Sequence, residues 1–143
     1  MKNKEVIKFG GIEVHFCLES SDTKGQLTMF KCVIHPGTKI AAPHYHENFD
    51  ETVYGLKGTA SYTVDGRQIE LNAGDSLFVP RGTVHAFANK TNDVIEFLCV
   101  CNPGVFGPDY FKDIAEVVNA GGPPDMEKLK KAMLSHGLIP VAG

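Results

Sequence analysis

Apolar and polar residues alternate in short runs over the first hundred positions. Runs at 6–9, 12–18, 27–35, 52–56, 60–64, 68–71, 76–79, 84–88 and 94–101 are rich in Val, Ile, Phe, Tyr and Thr. These residue types suit a pleated, half-buried surface. Turn formers separate the runs: Gly10 and Gly11, Pro36 and Gly37, Asp65 and Gly66, Gly74 and Asp75, Pro80 and Gly82. Many short strands at near-regular spacing predict a sandwich or barrel. Asp65 and Gly66, between two strand-like runs, predict a tight hairpin, because both central positions of a type I′ turn take positive φ.

The pattern changes after Asn102-Pro103-Gly104. Between 109 and 119 the apolar residues fall at 110, 111, 114, 117 and 118, the spacing of one helical face. Gly121 is placed to close this helix in the left-handed region. A second helix is predicted over 125–136, with Met126, Leu129, Met133 and Leu134 on one side, Asp125 as its N-cap and Glu127 one turn before Lys131. His136 falls in the last turn, where a cation suits the helix dipole, and is read as structural. Both apolar faces need a partner. Packing on the outer face of the sheet is expected, since two helices on one sheet face is a common layer arrangement; the alternative is that they cover the barrel mouth. Gly121-Gly122-Pro123-Pro124 joins them with a flexible pair followed by a stiff one.

Composition narrows the function classes. A chain of 143 residues has the size of one domain, with a barrel expected over about 5–101 and a helical extension over about 108–137. Net charge is −3 and the 14 Lys and Arg residues form no run, which argues against a nucleic-acid partner. No apolar run approaches the roughly 20 residues of a membrane-spanning helix, and MKNKEVIKFGG has no apolar stretch of a secretory signal. A cytoplasmic location is expected. The cysteines at 17, 32, 99 and 101 show no CxxC spacing and are read as reduced, mostly buried small side chains. Cys99 and Cys101 would share one strand face, which would also suit a two-thiol metal or redox site, but the buried structural reading is preferred. The apolar strands before Leu18 would be exposed edges in a monomer, so a homodimer is expected.

The chemistry lies in Pro43-His44-Tyr45-His46-Glu47-Asn48-Phe49-Asp50-Glu51. Residues two apart on a strand face the same way, so His44 and His46 present two imidazoles side by side. The four residues before Glu51 leave room for a turn that returns its carboxylate toward them. His85 follows the Pro80–Gly82 turn at the start of a later strand. Three imidazoles and a carboxylate suit one divalent Fe, Mn, Co, Ni or Zn ion, with one or two positions left open. A closed structural zinc site would be richer in thiolates. His15 and His35 lie outside this arrangement and are read as structural, and Glu47 and Asp50 as solvated loop carboxylates. Phe49, Tyr54, Phe78 and Phe87 are expected to fill the barrel or line a pocket, although Tyr54, three residues from Glu51, does not share its face by strand parity.

These residues sit in two glycine-punctuated motifs. Gly37-x6-His44-x-His46-x4-Glu51-x6-Gly58 resembles the first cupin motif, with one extra residue between Gly37 and His44. Gly74-x5-Pro80-x-Gly82-x2-His85-x3-Asn89 resembles the second at every position. Glu51-x2-Tyr54-x3-Gly58 and the tail Gly121-Gly122-Pro123-Pro124-Asp125-Met126 are similar to small quercetin-dioxygenase-like single-domain cupins. The resemblance implies an all-β jelly-roll barrel with two short C-terminal α-helices and an internal metal held by His44, His46, Glu51 and His85. It further implies a small-molecule substrate and oxygenase chemistry in which Glu51 accepts a proton. A non-redox isomerase or lyase, and a binding module without turnover, remain alternatives. His85, Phe87 and Asn89 share strand parity, so all three are expected to face the interior.

Overall fold

The structure, a computed structural model, describes residues 4–40 and 42–141. In chain order its strands are β1 (Val6–Phe9), β2 (Ile12–Leu18), β3 (Thr28–Ile34), β4 (His44–His46), β5 (Asp50–Lys57) and β6 (Thr59–Val64). They continue with β7 (Arg67–Asn72), β8 (Ser76–Val79), β9 (His85–Ala88) and β10 (Ile95–Asn102). Helices α1 (Pro108–Val118) and α2 (Met126–Ser135) follow, and β11 (Leu138–Pro140) ends the described chain.

Two antiparallel sheets make the jelly roll. One has the order β1-β2-β3-β10-β5-β8 and the other β11-β4-β9-β6-β7. The core lies between them, because alternate side chains point inward: Ile95, Phe97, Cys99 and Cys101 are buried while Glu96, Leu98 and Val100 are half-exposed. On β2 the same alternation buries Ile12, Val14 and Phe16. Tyr62, Phe87 and Phe97 pack edge-on or tilted with centroids 5.2–5.6 Å apart, a geometry that sets positive ring edges against negative faces.

Backbone requirements fix the turns that aim the strands. Asp65 and Gly66 have φ of 50° and 77°, the hairpin predicted between β6 and β7. Gly58, at φ 70°, carries the chain from β5 into β6, and a Cβ there would lie 2.7 Å from Ile95 Cγ2. Both conformation and space demand glycine at this corner.

The helices form where the apolar periodicity predicts them. Pro108 opens α1, where its missing N–H costs nothing. The Asp125 side chain caps α2 by accepting from the backbone N–H groups of Glu127 and Lys128. His136 ends α2 and joins it to α1 through a 2.7 Å contact with the Asp113 carboxylate, the structural role expected of it. The sequence reading did not anticipate β11, which follows α2 and adds an edge strand to the five-stranded sheet beside β4.

Candidate metal centre

The five-stranded sheet supplies the imidazoles. Strand β4 has only three residues, and its parity turns His44 and His46 to the same side; His85, the first residue of β9, lies opposite His44 in register. One ring nitrogen from each of the three lies within 4.8 Å of the others. Nδ1 of His44 is 3.0 Å from the Ala42 carbonyl, and Nδ1 of His85 is 3.0 Å from the Thr83 carbonyl. A carbonyl only accepts, so Nδ1 carries the proton in both rings and Nε2 keeps its lone pair for a ligand. His46 is fixed differently. Its ring stacks on Phe49 at 4.2 Å, Phe49 stacks on Phe106 at 4.6 Å, and its buried Nδ1 has no hydrogen-bond partner.

The facing sheet supplies a carboxylate. Glu51 on β5 stands opposite Cys101 on β10, and its Oε1 is 3.9 Å from His46 Nε2 across the barrel. The Cys99 and Cys101 thiols donate to its two oxygens at 3.8 and 3.9 Å, long contacts proper to sulfur. Burial raises the Glu51 carboxyl above its ordinary range, against the opposing effect of His85 and the two thiols. Burial, and then the neighbouring His85, lowers His44 to about 4. Burial, His85 and His44 together lower His46 to about 2. His44 and His46 are therefore neutral, the form that binds metal.

This donor set fits a cation. Metal–nitrogen bonds of about 2.0–2.1 Å place neighbouring donors about 3.0–3.4 Å apart at octahedral or tetrahedral corners, so ring nitrogens separated by up to 4.8 Å would draw together around an ion. An ion between them would favour the ionised form of Glu51. Three histidines are thus positioned to bind a metal, with Glu51 beside them.

The loops around the site are tied to it. Arg81 grips Asp50 with its guanidinium at 3.1 Å and its backbone N–H at 2.9 Å, holding that carboxyl below its ordinary range. Asp50 is therefore a clasp between β5 and the turn before β9, where a solvated loop carboxylate was expected. The Gly82 N–H donates to the His46 carbonyl at 2.8 Å. On the other side of β4, β11 pairs Leu138 with His46 and Pro140 with His44. Backbone bonds of 2.9 Å from Glu47 to Gly137 and from Val141 to Pro43 extend this pairing at both ends.

A cavity of about 290 Å³ is lined by the histidines and Glu51 together with Phe106, Tyr110, Phe111, Ile114, Leu129 and Met133. This corrects the expectation that the helices pack on the outer sheet: their apolar faces wall the cavity. The reason is visible in the aromatic contacts, since Phe111 meets the inward-facing Phe16 and Phe30 at 5.8 and 5.2 Å. Two further expectations fail. Tyr54 and Phe78 are 45% and 56% exposed and take no part in the site, because their parity on β5 and β8 turns them outward. Phe87 lines the cavity and Phe49 backs His46. His85 and Asn89 are buried as parity predicted, Asn89 satisfying the carbonyls of Ile34 and Asp93. His15 and His35 both contact Glu13 instead. Cys32, Cys99 and Cys101 are buried and Cys17 half-buried, all as free thiols. The contact of two of them with Glu51 was missed, although the shared parity of 99 and 101 carried the signal.

Comparison with known proteins agrees with this architecture. Quercetin 2,3-dioxygenase of Bacillus subtilis is 35% identical over 95 residues, 66% of this chain but 27% of that enzyme. An oxalate-binding protein of Thermotoga maritima is 28% identical over 92 residues, 64% of this chain and 75% of that protein. The chain covers only part of several relatives, about a quarter of the dioxygenase among them. Among solved structures, a predicted oxalate decarboxylase from Thermotoga maritima superposes with a TM-score of 0.62 at 26% identity, over 66% of this chain and 82% of that one. A sugar phosphate isomerase from Silicibacter pomeroyi gives 0.57 at 25% identity, over 64% and 59%. The cupin-domain family model matches residues 30–101, which span both motifs and all three histidines; the chain belongs to the cupin family.

Proposed function

We propose that this chain is a metal-dependent oxygenase acting on a small organic molecule, with one divalent ion held by His44, His46, Glu51 and His85. The observation that carries this reading is the placement of three imidazoles and a buried carboxylate in the lining of one largely apolar cavity. A bound ion would supply a Lewis-acidic centre with one or two positions open to substrate or dioxygen. The chain's own residues would orient and select the substrate. The cavity wall excludes water around its apolar body, and the imidazoles receive its oxygen-bearing head. Glu51, whose affinity for a proton is raised by burial, accepts the proton of an enol or phenol.

Similarity to quercetin 2,3-dioxygenase supports the redox reading. Likeness to a sugar phosphate isomerase supports a second, in which the same residues assist a proton shift without dioxygen. Metal analysis of protein purified without added metal, followed by oxygen uptake against a panel of enols and phenols, separates the readings. The oxygenase reading expects about one ion per chain and oxygen consumption with at least one compound. Product formation without oxygen uptake would favour the isomerase, bound metal without turnover a binding module, and absence of metal would sink the proposal.

A further inference from the structure

Two parts of the cavity lining differ in origin and in chemistry. The histidines and Glu51 come from the two motifs. A second part of the lining, largely apolar, comes from Tyr110, Phe111, Ile114, Leu129 and Met133, all beyond the residues 30–101 that match the cupin model. Among the described lining residues Lys39 is the one cation, and it is exposed; Glu51 is the one carboxylate. No arginine lines the space.

We infer that this C-terminal wall sets the substrate class: a neutral or singly ionised molecule of up to about two rings, with one oxygen-bearing head directed at the histidines. The inference rests on the metal-centre reading above for the position of the head, and on the wall alone for the body. Charge decides against the polar candidates. A sugar phosphate or a dicarboxylate would leave anionic oxygens against phenylalanine, isoleucine and methionine side chains, and an unpaired buried ion costs several kcal/mol. Size decides against large ones. A cavity of about 150 Å³ is enough to take up benzene, so 290 Å³ accommodates roughly two rings. A three-ring flavonol would have to leave a ring outside. The likeness to a quercetin dioxygenase therefore does not extend to its substrate.

Calorimetric titrations of 2,3-dihydroxynaphthalene, catechol, quercetin, oxalate and mannose 6-phosphate, into metal-loaded and metal-free protein, test this. The naphthalenediol is expected to bind the loaded protein about tenfold or more tightly than quercetin, oxalate or mannose 6-phosphate. It should also remain the tightest of those four with metal-free protein. Ile114→Trp fills the helix-lined part of the cavity. It should weaken the naphthalenediol about tenfold or more while leaving metal content unchanged and one-ring catechol within about threefold. Should Ile114→Trp not fold, Val118→Trp, at a half-buried lining position, makes the same comparison. Tighter binding of oxalate, the sugar phosphate or quercetin, or naphthalenediol affinity untouched by the folded variant, would overturn the inference. A protein that takes up no metal would defeat the metal reading instead, and the metal-free titrations would then decide the wall by themselves.

Discussion

The motif-bearing half of the barrel and the tail that follows it build one cavity by different means. In the first, short spacings place donors: two residues of one parity on β4, one residue after a Pro/Gly turn on β9, and a carboxylate on the facing sheet. In the second, helical periodicity places bulk, and β11 then returns to hold β4 from its outer edge. The comparison teaches that the tail is not an appendix to the barrel. It forms part of the wall of the cavity that the histidines line and supports the strand that carries His44 and His46.

The most severe way to break the polar half is His85→Ala. Removing one of three imidazoles should lower metal affinity by about a hundredfold or more, exceeding the 10–100-fold typical of outer partners. Metal content after dialysis checks this. His15→Ala and His136→Ala should retain metal, since those rings contact Glu13 and Asp113.

Truncation after Gly121 breaks the other half. It removes buried Leu129, Met133 and Leu138, each contributing about 1.5–3 kcal/mol, so the melting temperature should fall by roughly 10 °C or more. It also strips β4 of its β11 partner, leaving the one registered pair with β9. Metal affinity should therefore fall about tenfold or more even where the truncated chain remains folded. Unaltered metal binding would show that β9 and the Gly82 contact suffice to hold β4.

A third prediction concerns pH and metal-free protein. His44 and His46 are held near 4 and 2 when folded, against about 6.5 when unfolded. Below about 6.5 the unfolded chain takes up protons that the folded chain refuses, so stability falls with pH from about 6.5 toward 4. Bound metal should deepen this acid loss, because protons then compete for the ligands as well. A melting temperature flat between pH 7 and 4.5 would contradict it.

The smallest effect belongs to the thiols. Cys99→Ala removes one long hydrogen bond to Glu51 and should change metal affinity by only about two- to fivefold, with the melting temperature lowered by a few degrees. A loss as large as that of His85→Ala would make the thiol a ligand in its own right.

The sequence disclosed the polar half well, because motif chemistry is local. His44 and His46 differ by two positions on one strand, and Pro80 and Gly82 fix the approach to His85. Asp65 and Gly66 announced their hairpin for the same reason. The tail's destination was not legible, since an amphipathic face states that it must be buried and not against what. The outer face of a sheet and the ring of Phe16 and Phe30 are equally apolar partners in a one-dimensional pattern. The strand β11 has only three residues, Leu138–Pro140, and ends in a proline; so short a run carries no alternation to read. Phe78 was misplaced because side-chain type suggested burial where strand parity points to solvent, whereas for Tyr54 the parity against Glu51 already pointed away from the site.

The central claim is a single ion shared between the two sheets. A crystal of protein loaded with Co(II), examined by anomalous scattering, tests it most directly. One strong peak is predicted about 2.0–2.3 Å from Nε2 of His44 and His85, a ring nitrogen of His46 and an oxygen of Glu51. No peak among these residues, or a peak confined to His15, His35 and Glu13 on the outer face, would contradict the account.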